Sequence, residues 1–299
     1  VTYSIVARDP DTGQLGVAVQ SRYFSVGSGV LWAEAGVGAV ATQAMANPDY
    51  GPQGVSLMRA GVPAPSALPA LVEADEGRDL RQVGMVDAQG RAVAHTGARC
   101  IEAAGHIVGE GFSVQANLMV DDTVVPAMRD AYLSAKGDLA DRMLASLDAA
   151  QAAGGDIRGQ QSAAMLVVEG KRRTRPWRGI LCELRVEDHA RPLEELRRLL
   201  KMHRAYRFSD EGDEATAAGR NDEATALYER AFSLVPDHDE LQFWAGIGLF
   251  RRGQDAEGTE MLSKCFAQNP AMARVVPRLV PLGLVRAEDV DRMVKIAKR

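Results

Sequence analysis

The chain has 299 residues, of which 46% are apolar and 25% charged, and its formal net charge is −5. Those totals supply two ordinary hydrophobic cores and give no global basic field, so a nucleic-acid partner is not expected. No run approaches the ~20 apolar residues that span a bilayer, and the start lacks the basic and apolar segments of a secretory leader, so no membrane partner and a cytoplasmic address are expected. Cys100, Cys182 and Cys265 are far apart and form no CxxC pair, which points to reduced thiols rather than a disulfide framework or a thiolate metal site.

In chain order, residues 2–8 and 15–20 read as β-rich runs around Asp9-Pro10-Asp11-Thr12-Gly13-Gln14, a hairpin at the very start. The Val-, Ala- and Gly-rich segment 30–42 predicts further buried strands, and 54–60 and 66–74 have helical composition. Residues 83–87 and 91–95 flank a second hairpin turn at Ala88-Gln89-Gly90. Phe112 to Met119 alternates apolar and polar residues, as a half-buried strand does. Helical spacing follows over 123–135 and 139–153, and strands return over 162–168 and 180–186. This order predicts an α+β domain of two packed antiparallel sheets with helices outside, over residues 1–189, rather than a doubly wound parallel sheet.

From 190 to 299 the pattern is all-helical. Gly212, Gly219, Ala224, Tyr228, Ala231 and Pro236 recur as Gly246, Gly253, Gly258, Leu262, Cys265 and Pro270, a constant offset of 34 residues. That period, with small residues where helices would cross, looks like a tetratricopeptide-type repeat, a scaffold for a protein partner or a cap on the first domain. Residues 193–206 and the end of the chain would cap the array.

The chemistry centres on Thr2. If Val1 marks an alternative start codon, read as Met and removed, Thr2 carries both a hydroxyl and a free α-amine, with pKa near ~8, that can take the hydroxyl proton. Ser4 shares its face of the strand and is placed to orient the amine or a water. No two histidines stand at metal-ligand spacing, so no metal or other cofactor is expected.

The runs "TYSIVARDPDTGQLGVAVQSRYFSVGSGVLWAEAGVGAVATQAMANPDYGPQG", "HTGARCIEAAGHIVGEGFSVQANLM" and "GGDIRGQQSAAMLVV" resemble an uncharacterised bacterial family classed with the N-terminal nucleophile (Ntn) hydrolases. The resemblance covers most of residues 2–189. It implies a four-layer αββα sandwich, the residue after the initiator as nucleophile, and hydrolysis of an amide in a small molecule or peptide. Members are also described with a carboxy-terminal region suggested to bind peptidoglycan, and relatives of the fold often assemble as homo-oligomers. On the matching stretches, Gln43, Asn47 and Tyr50 are candidates to position the substrate, as are Gln115 and, for the oxyanion, Asn117. Arg22, His106 and Arg158 are further substrate-binding candidates, with His95, Asp156 and Ser162 beside them. Where relatives usually carry a glycine-rich stretch, this chain has the basic run Lys171 to Arg178, which reads as a solvated hairpin tip.

Two expectations follow. The first is an amidohydrolase acting through Thr2, and the second a non-catalytic scaffold of the same fold whose helical tail binds a partner. The string Gly36-Val37-Gly38-Ala39-Val40-Ala41 has no helix directly after it and is not read as a dinucleotide site.

Overall fold

The computed structural model describes residues 2–297; the expectation attached to Val1 lies outside the described residues. One compact unit extends to Arg198 and a second begins at Leu199.

The first unit opens with the expected hairpin, β1 (Thr2–Arg8) and β2 (Leu15–Ser21). There follow α1 (Gly27–Val30), β3 (Leu31–Glu34), β4 (Gly38–Ala44), α2 (Tyr50–Arg59), α3 (Ala64–Ala74), β5 (Arg81–Asp87), β6 (Ala92–Thr96), β7 (Gly105–Gly109) and β8 (Phe112–Asn117). Next come α4 (Val124–Ser134), α5 (Leu139–Ala152), β9 (Ser162–Val168) and β10 (Ile180–Val186). The strands make a six-stranded sheet, β10-β9-β2-β1-β8-β7, and a four-stranded sheet, β3-β4-β5-β6. Every pairing is antiparallel, as the hairpin turns predict. The sheets pack face to face through β1, β2 and β8 against β4 and β5, while α4 and α5 cover the larger sheet and α2 and α3 the smaller.

Strand alternation sorts side chains between these layers. Tyr3, Ile5 and Ala7 of β1 point to the side of α5, whereas Thr2, Ser4 and Val6 point between the sheets. Across that gap one end is apolar, with Val6, Val17, Val19, Ala39, Ala41 and Val86 in one buried cluster. The other end, where β1 begins, is polar: Thr2, Ser4, Ser21, Gln43, Gln82, Gln115 and Asn117 are all buried.

This polar end changes the reading of β8. Its alternation predicts one face on solvent, yet all six residues are buried. The polar set Ser113, Gln115 and Asn117 faces the second sheet, so amide partners replace water. Gly84 of β5 makes the room: a Cβ there would lie 2.4 Å from Gln115 Oε1.

The second unit is helical. A single helix, α6 (Pro192–Ala217), crosses the division between the units, so residues 193–206 do not form a separate cap; no glycine or proline interrupts the chain between Pro192 and Gly212. It is followed by α7 (Asn221–Leu234), α8 (Asp239–Arg251) and α9 (Asp255–Gln268). The 34-residue offset appears in the backbone. Gly219 and Gly253 both adopt left-handed turns, with φ of 75° and 77°. Arg220 N bonds Ala215 O just as Gln254 N bonds Leu249 O. Short 3-10 turns over 270–289 and α10 (Val290–Ile296) complete the described chain. A core around Phe243, Leu262, Phe266, Val276 and Met293 lies within this unit. Among the described residues no helix is long and apolar enough to cross a membrane.

Gly84→Ala should therefore push the Gln115 amide off both Ser4 and Ser113, and lower the free energy of unfolding by about 1–3 kcal/mol, the usual range for an overpacked core. A urea melt of the variant, with its midpoint set against that of the parent, measures this.

Candidate functional site

At the polar end the register lines up one row across the larger sheet: Asn117 opposite Thr2, Thr2 opposite Ser21, and Ser21 opposite Ser162. Thr2 is 5% exposed, and its hydroxyl donates to Ser21 Oγ at 3.0 Å. One position inward, Gln115 Nε2 donates to Ser4 Oγ at 2.6 Å, and Gln115 Oε1 accepts from Ser113 Oγ at 2.7 Å.

The facing sheet supplies two more amides. Gln43 Nε2 lies 2.8 Å from Gln82 Oε1, 3.2 Å from Thr2 O and 3.3 Å from Gln115 O. Gln82 Oε1 also accepts from Asn117 Nδ2 at 2.8 Å. Its Nε2 donates to Ala116 O, Thr96 Oγ1 and Gly105 O at 2.8, 3.0 and 3.1 Å. Thr96 Oγ1 in turn meets His106 Nδ1 at 2.8 Å. Gln82 thus joins both sheets. Buried amides of this kind are stable only when paired, and one acceptor is left over: Gln43 Oε1 has no partner among the described residues.

The backbone is special at this end. Among the described residues, the non-glycine positions with positive φ are Ser25 at 55°, Ala44 at 70° and Leu118 at 55°. Ala44 directly follows Gln43, and Leu118 directly follows Asn117. Left-handed conformations of ordinary residues cost free energy and gather where a site over-determines the chain.

The sequence candidates therefore divide. Thr2, Ser4, Gln43, Gln115 and Asn117 come together in the layer, and His106 joins it through Thr96. Asn47 instead closes its own turn, with Oδ1 accepting from Asp49 N at 3.1 Å and its carbonyl from Thr42 Oγ1 at 3.0 Å. Tyr50 sits in the apolar layer between the smaller sheet and α2, because the turn after β4 carries it to the other face of the strand. Its hydroxyl donates to Asp75 at 3.1 Å, and burial, then Asp75, push its pKa up to about 12. Arg22 is exposed, bonding Gln160 O, and its backbone N–H donates to Asp156. Arg158 is paired with buried Asp156 at 3.2 Å. His95 meets Arg78 O at 2.9 Å, and Ser162 bridges Val26 N and Tyr23 O. Among the described residues no group of three His, Cys, Asp or Glu side chains could hold a metal ion.

Sequence reasoning missed Gln82, Ser21 and Thr96. The signal for Gln82 was its position: in "RQVGMVD" it shares a strand face with Gly84, a polar side chain beside a gap.

Asp75 braces this end. It accepts from Arg81 Nε and Gly77 N, both at 2.8 Å, and Arg81 also bonds Met45 O at 2.5 Å, tying the start of β5 to the loop after β4. The Arg81 guanidinium, with further donors, holds the Asp75 carboxyl down to about 2. A cavity of about 820 Å³, lined by residues 96–98, Cys100, residues 102–106, Asp121 and Asp122, opens beside Thr96 and His106. Thr2 does not line it.

The chain is similar to known proteins in sequence and in structure. The model of a family of unknown function, DUF1028, matches residues 2–196. The crystal structure of protein SPO2555 from Silicibacter pomeroyi, described with the same family, is 30% identical, with a TM-score of 0.61 over 67% of this chain and 88% of that one. No curated protein matches.

Two outcomes test the layer. Gln82→Leu takes from Asn117 Nδ2 its acceptor and leaves Gln43 Nε2 only Thr2 O and Gln115 O, and should lower stability by about 1–3 kcal/mol, the range for one unsatisfied buried group, read from denaturant melts. Because the folded pKa of Asp75 is depressed, its contribution is complete above the ordinary carboxylate value near ~4 and is lost as pH falls toward about 2. Melting temperatures of Asp75→Asn should accordingly show a flatter acid limb between those limits, and a lower plateau at neutral pH.

Proposed function

We propose that this chain, which belongs to the family of unknown function DUF1028, is an amidohydrolase of the N-terminal nucleophile type acting through Thr2 once the peptide bond before Thr2 has been cleaved. The observation that carries the reading is the position of Thr2: it heads a central strand in a buried polar row, opposite an asparagine and beside Gln43, whose Nε2 lies 3.2 Å from Thr2 O. The helix–sheet–sheet–helix stack supports the αββα reading. The two helical hairpins repeating at 34 residues support a tetratricopeptide-like tail.

The chemistry follows from those neighbours. The Thr2 hydroxyl attacks the amide carbonyl, and its proton passes to the free α-amine, whose pKa lies near ~8. Oxygen of the tetrahedral intermediate takes hydrogen bonds from the Asn117 amide or backbone N–H groups. The α-ammonium then gives its proton to the departing amine, leaving an ester on Thr2. Water, deprotonated by the same amine, cleaves that ester and regenerates the hydroxyl. Ser21 orients the Thr2 hydroxyl, while Ser4 and Gln115 fix the strand beneath it. An amide nitrogen in place of the amine would have no basic lone pair, so cleavage before Thr2 is a requirement.

A second reading rests on the burial of Thr2 and the commitment of its hydroxyl to Ser21. Here the first unit is a non-catalytic scaffold, and the helical unit binds a protein partner or, by analogy with described relatives, peptidoglycan.

One experiment separates the two. Protein isolated from its native host is treated with a β-lactone probe and weighed intact. The hydrolase reading expects a free Thr2 amino terminus and one acyl adduct, abolished in Thr2→Ala, with labelling that rises through pH ~8 as the amine loses its proton. A chain still amide-linked before Thr2, or equal labelling of both proteins, overturns it in favour of the scaffold.

A further inference from the structure

Six of the eleven exposed large apolar side chains among the described residues gather around the Thr2 end of the sandwich. They are Tyr23 and Phe24 after β2, Met45 after β4, Ile101 between β6 and β7, Val120 after β8, and Ile157 before β9. Each is at least half exposed. Four of the five connections at this end contribute, the one between β10 and α6 being the exception. Backbone bonds knit three of the loops together: Leu118 N to Ile101 O, Ile157 N to Leu118 O, and Val120 N to Gly155 O. The five connections at the opposite end of the same sheets carry one such residue, Trp177, inside the basic tip. Isolated exposed apolar residues need no explanation, but a ring of them at one end does.

The ring is not flat. The cavity of about 820 Å³ opens between the loops that carry Ile101 and Val120; none of the six side chains lines it, and its walls include Glu102, His106, Asp121 and Asp122. Beside that cavity lies a recess of about 210 Å³, which shares residues 103–106, Asp121 and Asp122 with it and is otherwise lined by Ile107, Met119, Val125 and Pro126. Volumes of this size suit a small molecule, whereas a self-association surface needs no such depth. From these observations we infer that the ring and recess bind the apolar acyl chain, aliphatic or aromatic, of a small amide. This inference rests on the hydrolase reading for the direction of the amide, which would point toward Thr2. The chain would cross the apolar rim and end against Ile107 and Val125.

The test uses the full-length chain carrying Thr2→Ala, so that binding is read without turnover. Calorimetric titration with N-methyl amides of linear acids of increasing length should show affinity rising about two- to fourfold per methylene, the factor that burial of one CH₂ supplies. Phe24→Ser/Ile101→Ser/Val120→Ser, all at exposed positions, should flatten this dependence while leaving the melting temperature unchanged, and Ile107→Asn should shorten the longest chain that still gains affinity. Affinity independent of length, or a length dependence untouched by these substitutions, overturns the inference. So does a rim triple variant that only converts a dimer to monomer in sedimentation. Wild-type protein assayed on the matching anilides keeps the two ideas apart. Length-dependent binding without hydrolysis sustains the acyl site and removes the hydrolase, whereas hydrolysis indifferent to chain length does the reverse.

Discussion

A side-chain amide shared between two sheets is the constraint on which the first unit depends. Gln82 Oε1 accepts from Gln43 on its own sheet and from Asn117 on the other, which fixes the separation and register of the sheets where β1 begins. Apolar packing at the far end tolerates small slips, because dispersion has no direction. Hydrogen bonds at 2.8 Å do not, and a buried amide that loses its partner has no water to fall back on. The sandwich is therefore clamped at one end and greased at the other, and the clamped end holds Thr2.

The same contrast explains what the sequence disclosed. Hairpins at 9–14 and 88–90 were legible because turn chemistry is local, and the antiparallel sheets follow from them. The helical repeat was legible because Gly219 and Gly253 occupy equivalent left-handed turns. The partners of β8 were not legible. Alternation in "FSVQAN" shows that polar residues share a face, but the same pattern serves for solvent or for a second polar sheet, and only long-range pairing decides between them. Tyr50 illustrates the reverse error. It stands seven residues from Gln43 in one family stretch, yet the turn at Asn47 delivers it to the opposite side of the smaller sheet.

Gln82 shows why such sites escape motif reading. No spacing rule links it to Gln43 or Asn117, which lie 39 and 35 residues away along the chain. What selects it is the emptiness at Gly84 and the opposed amides of three strands, and both are properties of the assembled layer. The left-handed residues Ala44 and Leu118 are similar. Neither is a glycine, so neither announces its backbone, and the strain they carry becomes visible only beside Gln43 and Asn117.

The layer is one donor short. Among the described residues none donates to the buried Gln43 Oε1, and a molecule that reached it would complete its bonding by bringing an N–H or O–H of its own. On the hydrolase reading, a secondary amide that reached Gln43 would bring such an N–H and an ester of identical shape would not, which is the sense in which one glutamine would favour nitrogen-linked acyl compounds.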